Sequence, residues 1–338
     1  MKKTICPGSG ETTRVICLGN IAYDIITRRK DNRGGLFFYA TPGGSVLNTA
    51  VLMSRLGLKV GVAARTGKDF LGETLLKAMK RERINISAVE SSSEARTALA
   101  LAKIDERGDS SYVFYREGGK EAALSEVERT MKAAALSEVF HTGSAYTYDD
   151  ATAKDTLLIT GAAKRSGAVI TYDPNWRDTR IKDKKQARKR IGRLLALVDI
   201  LKLSDADALG ITGASSLKKA MRALDRQAFV TLGNKGAAYW DGNGFSERVP
   251  AFKVKVSDTI GAGDAFTAGL VRRLADTGKE KFSRKIKETL LFASAVSAIV
   301  ATGTGALGAL KSLAQVERFL AASCRLPSAC RQFSGTVR

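Results

Sequence analysis

The chain has 338 residues, 44% apolar and 26% charged, which is the composition of a globular protein rather than a disordered or fibrous one. It holds no stretch of 18 or more uninterrupted apolar residues, which excludes an apolar membrane-spanning helix. The formal net charge of +21 is high, and admits a nucleic acid, a membrane surface or an anionic small molecule as partner.

Residues 1–13 and 325–338 read as tails, and 14–322 as one domain. The opening MKKTICPGSGETTR starts basic but has no apolar run of signal-peptide length, so a cytoplasmic location is expected. The four cysteines are Cys6, Cys17, Cys324 and Cys330. None forms a C-x-x-C pair, so zinc is not expected, and in the cytosol the thiols stay reduced.

A β-branched run at 15–18 predicts a strand ending at Gly19. Segments 22–28 and 36–40 flank the turn signal KDNRGG, and predict a hairpin. A helix over 45–56, a strand over 60–63 and a helix over 70–80 follow. Segments 97–104 and 112–116 flank ERGD and predict a second hairpin. Strands at 139–141, 169–172, 200–203 and 229–232 then alternate with helical patterns. This alternation predicts a parallel sheet covered on both faces, and the two inserted hairpins predict a small sheet acting as a lid.

The densest basic cluster is KDKKQARKRIGR at 182–193. Ile191, Leu194, Leu195 and Val198 follow at i, i+3, i+4 and i+7, so one helix face is apolar and the charges face water. No aromatic residues interleave these charges, and no nucleic-acid-binding module is recognisable, so neither nucleic acid nor membrane is expected as a partner.

The chemistry concentrates in SDTIGAGDAFTAGLV at 257–271. Gly261, Ala262 and Gly263 lead into Asp264 at the mouth of an apolar helical pattern. A helix N-terminus offers unpaired N–H groups and partial positive charge, and small residues let a phosphate approach them. A carboxylate beside that phosphate is repelled by it, which a general base for an attacking hydroxyl explains better than an acidic helix cap does. The sequence has no G-x-x-x-x-G-K-[ST] and no H-R-D or D-F-G set. Its only histidine, His141, reads as structural, so a histidine-based triad or metal cluster is not expected.

With these segments in view, the chain resembles the ribokinase-like (PfkB) carbohydrate kinases, and within them the bacterial fructokinases. DTIGAGDAFTAG at 258–269 resembles the family's C-terminal signature, and TPGGSVLNTAVLMSRLG at 41–57 its N-terminal one. GNIAYD at 19–24 resembles the first strand with its sugar-binding aspartate. YDPNWR at 172–177 and VFYRE at 113–117 resemble segments of fructokinases and 2-keto-3-deoxygluconate kinases. LKLSDADALGITG resembles the segment carrying the magnesium motif, and VTLGNKGAAYW the nucleotide-side strand and turn.

The resemblance implies a three-layer α/β/α domain with a mainly parallel central sheet and a β-sheet lid at about 20–40 and 97–118. It implies ATP and magnesium, with potassium as a further cation, and a homodimer formed through the lid. Asp264 would take the proton of a sugar hydroxyl, and Gly261, Ala262 and Gly263 would hold the transferring phosphate. Asp24, Gly43, Gly44 and Asn48 would orient the sugar, with Arg116 and Arg177 reaching it from lid and main domain. Thr231, Gly233 and Gly236 would lie along ATP, with Ser204 and Ser294 nearby. Asp207 would contact magnesium through water, and Asp258 would mark a monovalent-cation site. Three positions depart from the family pattern: Asn20 replaces an acid, Ser204 and Asp207 stand where relatives carry Asn and Glu, and Ser294 stands near the nucleotide where relatives carry Asn.

The leading expectation is phosphorylation of fructose to fructose 6-phosphate. A 2-keto-3-deoxygluconate kinase is the alternative, its sugar-acid carboxylate paired with Arg116 and Arg177. A ribokinase or nucleoside kinase fits VFYRE and YDPNWR less well. A sugar-sensing protein without turnover is the reading from a different class, and retention of Asp264 argues against it.

Overall fold

The computed structural model of the chain describes residues 13–30, 35–104, 110–115 and 122–324. The strands, in chain order, are β1 (Val15–Leu18), β2 (Ala22–Lys30), β3 (Leu36–Gly43), β4 (Val60–Gly67), β5 (Asn85–Ser92), β6 (Ala98–Ile104), β7 (Ser110–Tyr115), β8 (Val139–Gly143), β9 (Val169–Asp173), β10 (Ile200–Ser204), β11 (Ala228–Thr231), β12 (Ala237–Trp240) and β13 (Phe245–Val249). The helices are α1 (Ser45–Arg55), α2 (Phe70–Arg81), α3 (Val127–Ala135), α4 (Ala145–Tyr148), α5 (Asp150–Arg165), α6 (Lys184–Leu195), α7 (Asp205–Thr212), α8 (Leu217–Leu224), α9 (Ala262–Arg284, interrupted at Gly278), α10 (Ile286–Ala301) and α11 (Leu313–Cys324).

Nine strands form the main sheet, in the order β13-β12-β11-β10-β9-β8-β1-β4-β5. The run from β11 to β5 is parallel, and β12 and β13 add an antiparallel edge. Both faces are covered, as the alternation of strands and helices predicts. In β1, Val15 and Cys17 enter one core with residues of α1, α9 and α10, while Ile16 and Leu18 enter the other with residues of α5, α6 and α8. Period-2 alternation in a fully buried strand therefore feeds two separate helix layers.

The basic helix α6 is explained by the same partition. Ala187, Ile191, Leu194 and Leu195 are buried, and each large aliphatic side chain contributes about 1.5–3 kcal/mol over exposure. The lysines at 182, 184, 185 and 189 are exposed. β5 is an addition to the elements the periodicity reveals.

The chain runs β1 to β4 to β5 on one side of the sheet, then returns to β8 on the other side of β1. That reversal opens a crevice at the carboxyl ends of β1 and β8, where open α/β sheets bind ligands. Over it lies a second sheet of four strands, ordered β3-β2-β6-β7. β2–β3 and β6–β7 are the two antiparallel hairpins the sequence predicts, and they join through a parallel β2–β6 pairing. The turn signals themselves fall largely outside the described residues.

The lid is tied down at its root. Asp69 caps α2 by accepting from Gly72 N at 2.9 Å, and also accepts from Thr97 N at 3.0 Å and Thr97 Oγ1 at 2.7 Å. Thr97 is the residue before β6, so one carboxylate serves as helix cap and as anchor of the lid strand. Asp69→Ala removes both, and should lower stability by about 2 kcal/mol in chemical denaturation, a cap and a half-buried acceptor together. Hydrogen exchange should show β6 losing protection more than β1 does.

Candidate active site

Two helix N-termini meet in the crevice. Gly261, at φ 78°, turns the chain through the left-handed region and starts α9, which places Asp264 in its first turn. Ser45 begins α1, and Asn48 lies one turn further on the same face. Ser45 Oγ donates to Asp264 Oδ1 at 2.7 Å, and Asn48 Nδ2 donates to Oδ2 at 3.0 Å. Asp264 is 9% exposed. Burial pushes its carboxyl up to about 6, against the opposing donation from Ser45 and Asn48.

Asp24 sits across Asn48 from Asp264, on β2. Burial, followed by the charge of Asp264, pushes it up to about 7, against donation from Gly44 N–H and Asn48. Its place depends on a glycine: a β-carbon at Gly43 would stand 2.1 Å from Asp24 Oδ2. The Gly43-Gly44 pair therefore makes room for the carboxylate as well as forming the entry to α1.

Asp24, Gly44, Asn48, Arg177, Gly261, Gly263 and Asp264 line one cleft, roofed by Ala98–Ala100 of the lid and by Phe114. Gly43 lies beneath Asp24. Ala262 is not in its wall; its N–H donates to Thr259 O at 3.2 Å, and its carbonyl accepts from Ser297 Oγ of α10 at 2.9 Å. Three buried side-chain atoms on cleft-lining residues have no hydrogen-bond partner among the described residues: Asn20 Oδ1, Asn48 Oδ1 and Tyr148 Oη. Buried polar atoms are rarely left so, and this set suits a ligand rich in hydroxyls.

The nucleotide-side expectations fall elsewhere. Thr231 ends β11, and Gly233 and Gly236 bound the turn into β12. Ser294 is buried on α10. Ser204 caps α7, with Ser204 Oγ and N donating to Asp207 Oδ2 at 2.7 and 2.8 Å and Trp176 N to Oδ1 at 2.8 Å. Asp258 is 1% exposed and accepts from Ile260 N at 2.9 Å and Gly305 N at 2.7 Å. Arg116 lies outside the described residues.

Several cleft residues are not among those the sequence singles out: Ser45, Tyr148, Asp173, Asn175, Arg180 and Lys202. Asp173 and Asn175 belong to YDPNWR, where the sequence points only to Arg177. The signal for Lys202 is a lone lysine inside the apolar strand ILKLS, and Lys202 is 5% exposed. The Arg180 guanidinium lies 5.0 Å from the Phe114 ring centroid, linking main domain and lid.

The chain thus has a doubly covered α/β sheet under a second, smaller sheet, with an acid at a glycine-lined helix mouth. Residues 12–312 match the model of the pfkB family carbohydrate kinases, and the chain belongs to that family. It is thus a phosphotransferase acting on a sugar hydroxyl. It is 31% identical over 289 residues to fructokinase-1 of Oryza sativa subsp. japonica, spanning 84% of this chain and 89% of that one. It is 31% identical over 325 residues to probable fructokinase-7 of Arabidopsis thaliana, spanning 92% and 93%. The fructokinase of Xylella fastidiosa with bound ATP superposes with a TM-score of 0.82 at 25% identity, over 93% of this chain and 99% of that one. The fold is also shared with the fructokinase of Vibrio cholerae O395 in its fructose-, ADP- and calcium-bound form, at a TM-score of 0.80 and 24% identity, over 92% and 100%.

Gly43→Ala should displace the Asp24 carboxylate. The expected result is a sugar KM raised by about tenfold or more with kcat less affected, read by steady-state kinetics. Thermal unfolding should remain cooperative.

Proposed function

We propose that the chain transfers the γ-phosphoryl group of ATP to the primary hydroxyl of fructose, giving fructose 6-phosphate, with Asp264 as general base. The observation that carries this is the buried Asp264 carboxylate, held by Ser45 and Asn48 in the first turn of α9. With its carboxyl near 6 it is mostly ionised at neutral pH, yet basic enough to accept a proton in the transition state. The sugar oxygen attacks the γ-phosphorus, the bond to the β,γ-bridging oxygen breaks, its electron pair leaves with ADP, and the proton passes to Asp264. First-turn amides of α9 around Gly261 and Gly263 receive the phosphoryl charge. Asp24 and Asn48 orient the sugar hydroxyls, and Asn20 and Tyr148 add partners.

Fructose is supported by the activities for which the rice and Xylella relatives are named. A second reading, a sugar acid such as 2-keto-3-deoxygluconate, is favoured by Arg177 and Arg180 standing together in the cleft wall. Planar guanidinium groups suit a carboxylate.

In this proposal ATP runs along Thr231, Gly233 and Gly236, with Ser204 and Ser294 near its path. Among the described residues no group of three or more His, Cys, Asp or Glu is placed to hold a metal. Magnesium would be held by the nucleotide phosphates and would neutralise their charge. Asp207, whose oxygens already accept three hydrogen bonds, would reach it through water. Asp258, a buried carboxylate that accepts from Ile260 N and Gly305 N, would stand beside a potassium ion.

No helix among the described residues is long and apolar enough to cross a membrane. Cytoplasmic residence is part of the proposal, supported by the reaction's need for ATP. So is a homodimer through the lid. Leu36, Phe37, Phe38 and Tyr39 on edge strand β3, and Val113 and Tyr115 on edge strand β7, are all at least 44% exposed, and such edges invite pairing.

The decisive assay couples ADP release to a panel of fructose, 2-keto-3-deoxygluconate, ribose and adenosine. Fructose should turn over best, and Asp264→Asn should lower kcat by about 10²–10⁴-fold. Because the base must be ionised, kcat/KM should fall as pH drops through about 6. A variant as active as the parent removes Asp264 from the reaction, and a chain silent towards the whole panel favours a sugar-sensing protein. Light scattering at micromolar concentration should give twice the monomer mass; a monomer rejects the lid dimer.

A further inference from the structure

The mechanism above leaves one buried cation unused. Lys202 lies on β10 with its side chain 6% exposed, and it lines the same cleft as Asp264. Its Nζ donates to Asp173 Oδ2 at 2.7 Å, the one side-chain acceptor it has among the described residues. Thr267 Oγ1 donates to the same Oδ2 at 3.0 Å, and Asn175 N donates to Oδ1 at 3.2 Å, so the carboxylate is fixed from three elements. An ammonium has three N–H groups, and the Asp173 contact uses one.

The direction of the others is given by the loop opposite. A β-carbon placed on Gly263 would stand 3.1 Å from Lys202 Nζ, so the ammonium sits against the backbone of the anion-binding turn. Thr267 is one turn further along α9, and its hydroxyl also lies 3.2 Å from the Gly263 carbonyl. Asp173, Thr267 and Lys202 therefore lock β9, β10 and the start of α9 into one unit. Around the ammonium are Asp173 on β9, Asp207 on α7, Asp264 on α9 and His141 on β8. Burial and the charge of Lys202 hold His141 neutral, so Lys202 is the positive charge among three acids.

A buried ion pair is a costly way to join three elements, since apolar side chains of similar size do it as well or better. Its expense makes sense if the charge is used. We propose that Lys202 is a further catalytic residue, whose ammonium meets the oxygens of the transferring phosphoryl group beside Gly263, and that Asp173 is the positioning residue that aims it. Lys202 keeps its protons throughout; it stabilises charge that the amides of α9 share, while the sugar proton still goes to Asp264. Gly263 is then glycine because any side chain would push the ammonium away from the phosphoryl group. This inference rests on the kinase reading above.

The test compares the parent with Asp264→Asn, Asp173→Asn and the double variant Lys202→Met/Asp173→Asn. The double variant removes the Lys202–Asp173 pair together, so neither partner is left buried without the other. Circular dichroism reports folding, steady-state kinetics give kcat and KM, and calorimetry gives affinities for ADP and for a non-hydrolysable ATP analogue. In the double variant kcat should fall by about 100-fold. Sugar KM and ADP affinity should stay within about threefold, and affinity for the γ-phosphate-bearing analogue should fall about tenfold. Asp173→Asn, which keeps the ammonium but loosens its anchor, should lose about tenfold in kcat at unchanged sugar KM.

A folded double variant with parental kcat and parental preference for the analogue overturns the inference. So does a variant that loses sugar affinity in step with kcat, because that is structural damage. If the double variant does not fold, parental kcat in Asp173→Asn overturns it. An inactive Asp264→Asn beside a fully active double variant sinks this inference alone. A parent that neither turns over sugar nor binds nucleotide sinks the kinase reading with it.

Discussion

The structure depends on keeping one buried carboxylate, Asp264, ionisable at the base of the crevice. A buried carboxylate is expensive in charged form, and an unpaired one would simply hold its proton. Asp264 escapes this by standing where two helices begin. α9 supplies the positive end of its own dipole, and α1 supplies Ser45 and Asn48 as donors, one to each oxygen. Burial still wins, so the group settles near 6 rather than near 4. That is the range in which a carboxylate serves as a base at neutral pH. The packing of α1 against α9 in the first core is therefore also what tunes the acid.

The sheet fixes where this can happen. Reversal of strand order beside β1 opens the crevice; β9 and β10 deliver Asp173 and Lys202 into it from regular strands, and the turn after β8 delivers Ser144. The lid enters the same arrangement through Asp24 and through the Gly43-Gly44 exit from β3. Asp24 belongs to the small sheet by topology and to the main domain by contact, since Asn48 and the Gly44 amide hold it. That one side chain thus joins the small sheet to the α1 end of the main domain.

What the sequence reveals follows from how local each signal is. The GAGD turn, the Gly43-Gly44 pair, both lid hairpins and the basic amphipathic helix are set by neighbours in the chain, and all are legible. Ser45 is not, because a serine at a helix start also reads as ordinary entry chemistry, and only the fold brings α9 to it. Lys202 and Asp173 lie in separate strands that pair with each other, so their ion pair exists only in the sheet. Asp207 carries two signals at once. Ser204-Asp205-Ala206-Asp207 fits a capping box, which the structure forms, and the same four residues fit a shortened magnesium motif. The structure shows the local chemistry, an Asp207 carboxylate that accepts three hydrogen bonds; the metal contact belongs to the proposed function.

The paired acids bring a consequence for stability. Asp24 and Asp264 both have carboxyls raised well above their unfolded values, so between about pH 4 and 7 the folded chain binds protons more tightly than the unfolded one. Their contribution to stability is full below that window and is lost as pH rises through it. At neutral pH the free protein thus carries strain in its own site. In the proposed function, sugar hydroxyls donating to Asp24 and Asp264 would replace the water these oxygens lost on burial. The cleft's unsatisfied acceptor on Asn48 works in the same direction. On that reading, affinity for a polyol would come partly from removing a cost that the buried acids already carry in the free protein.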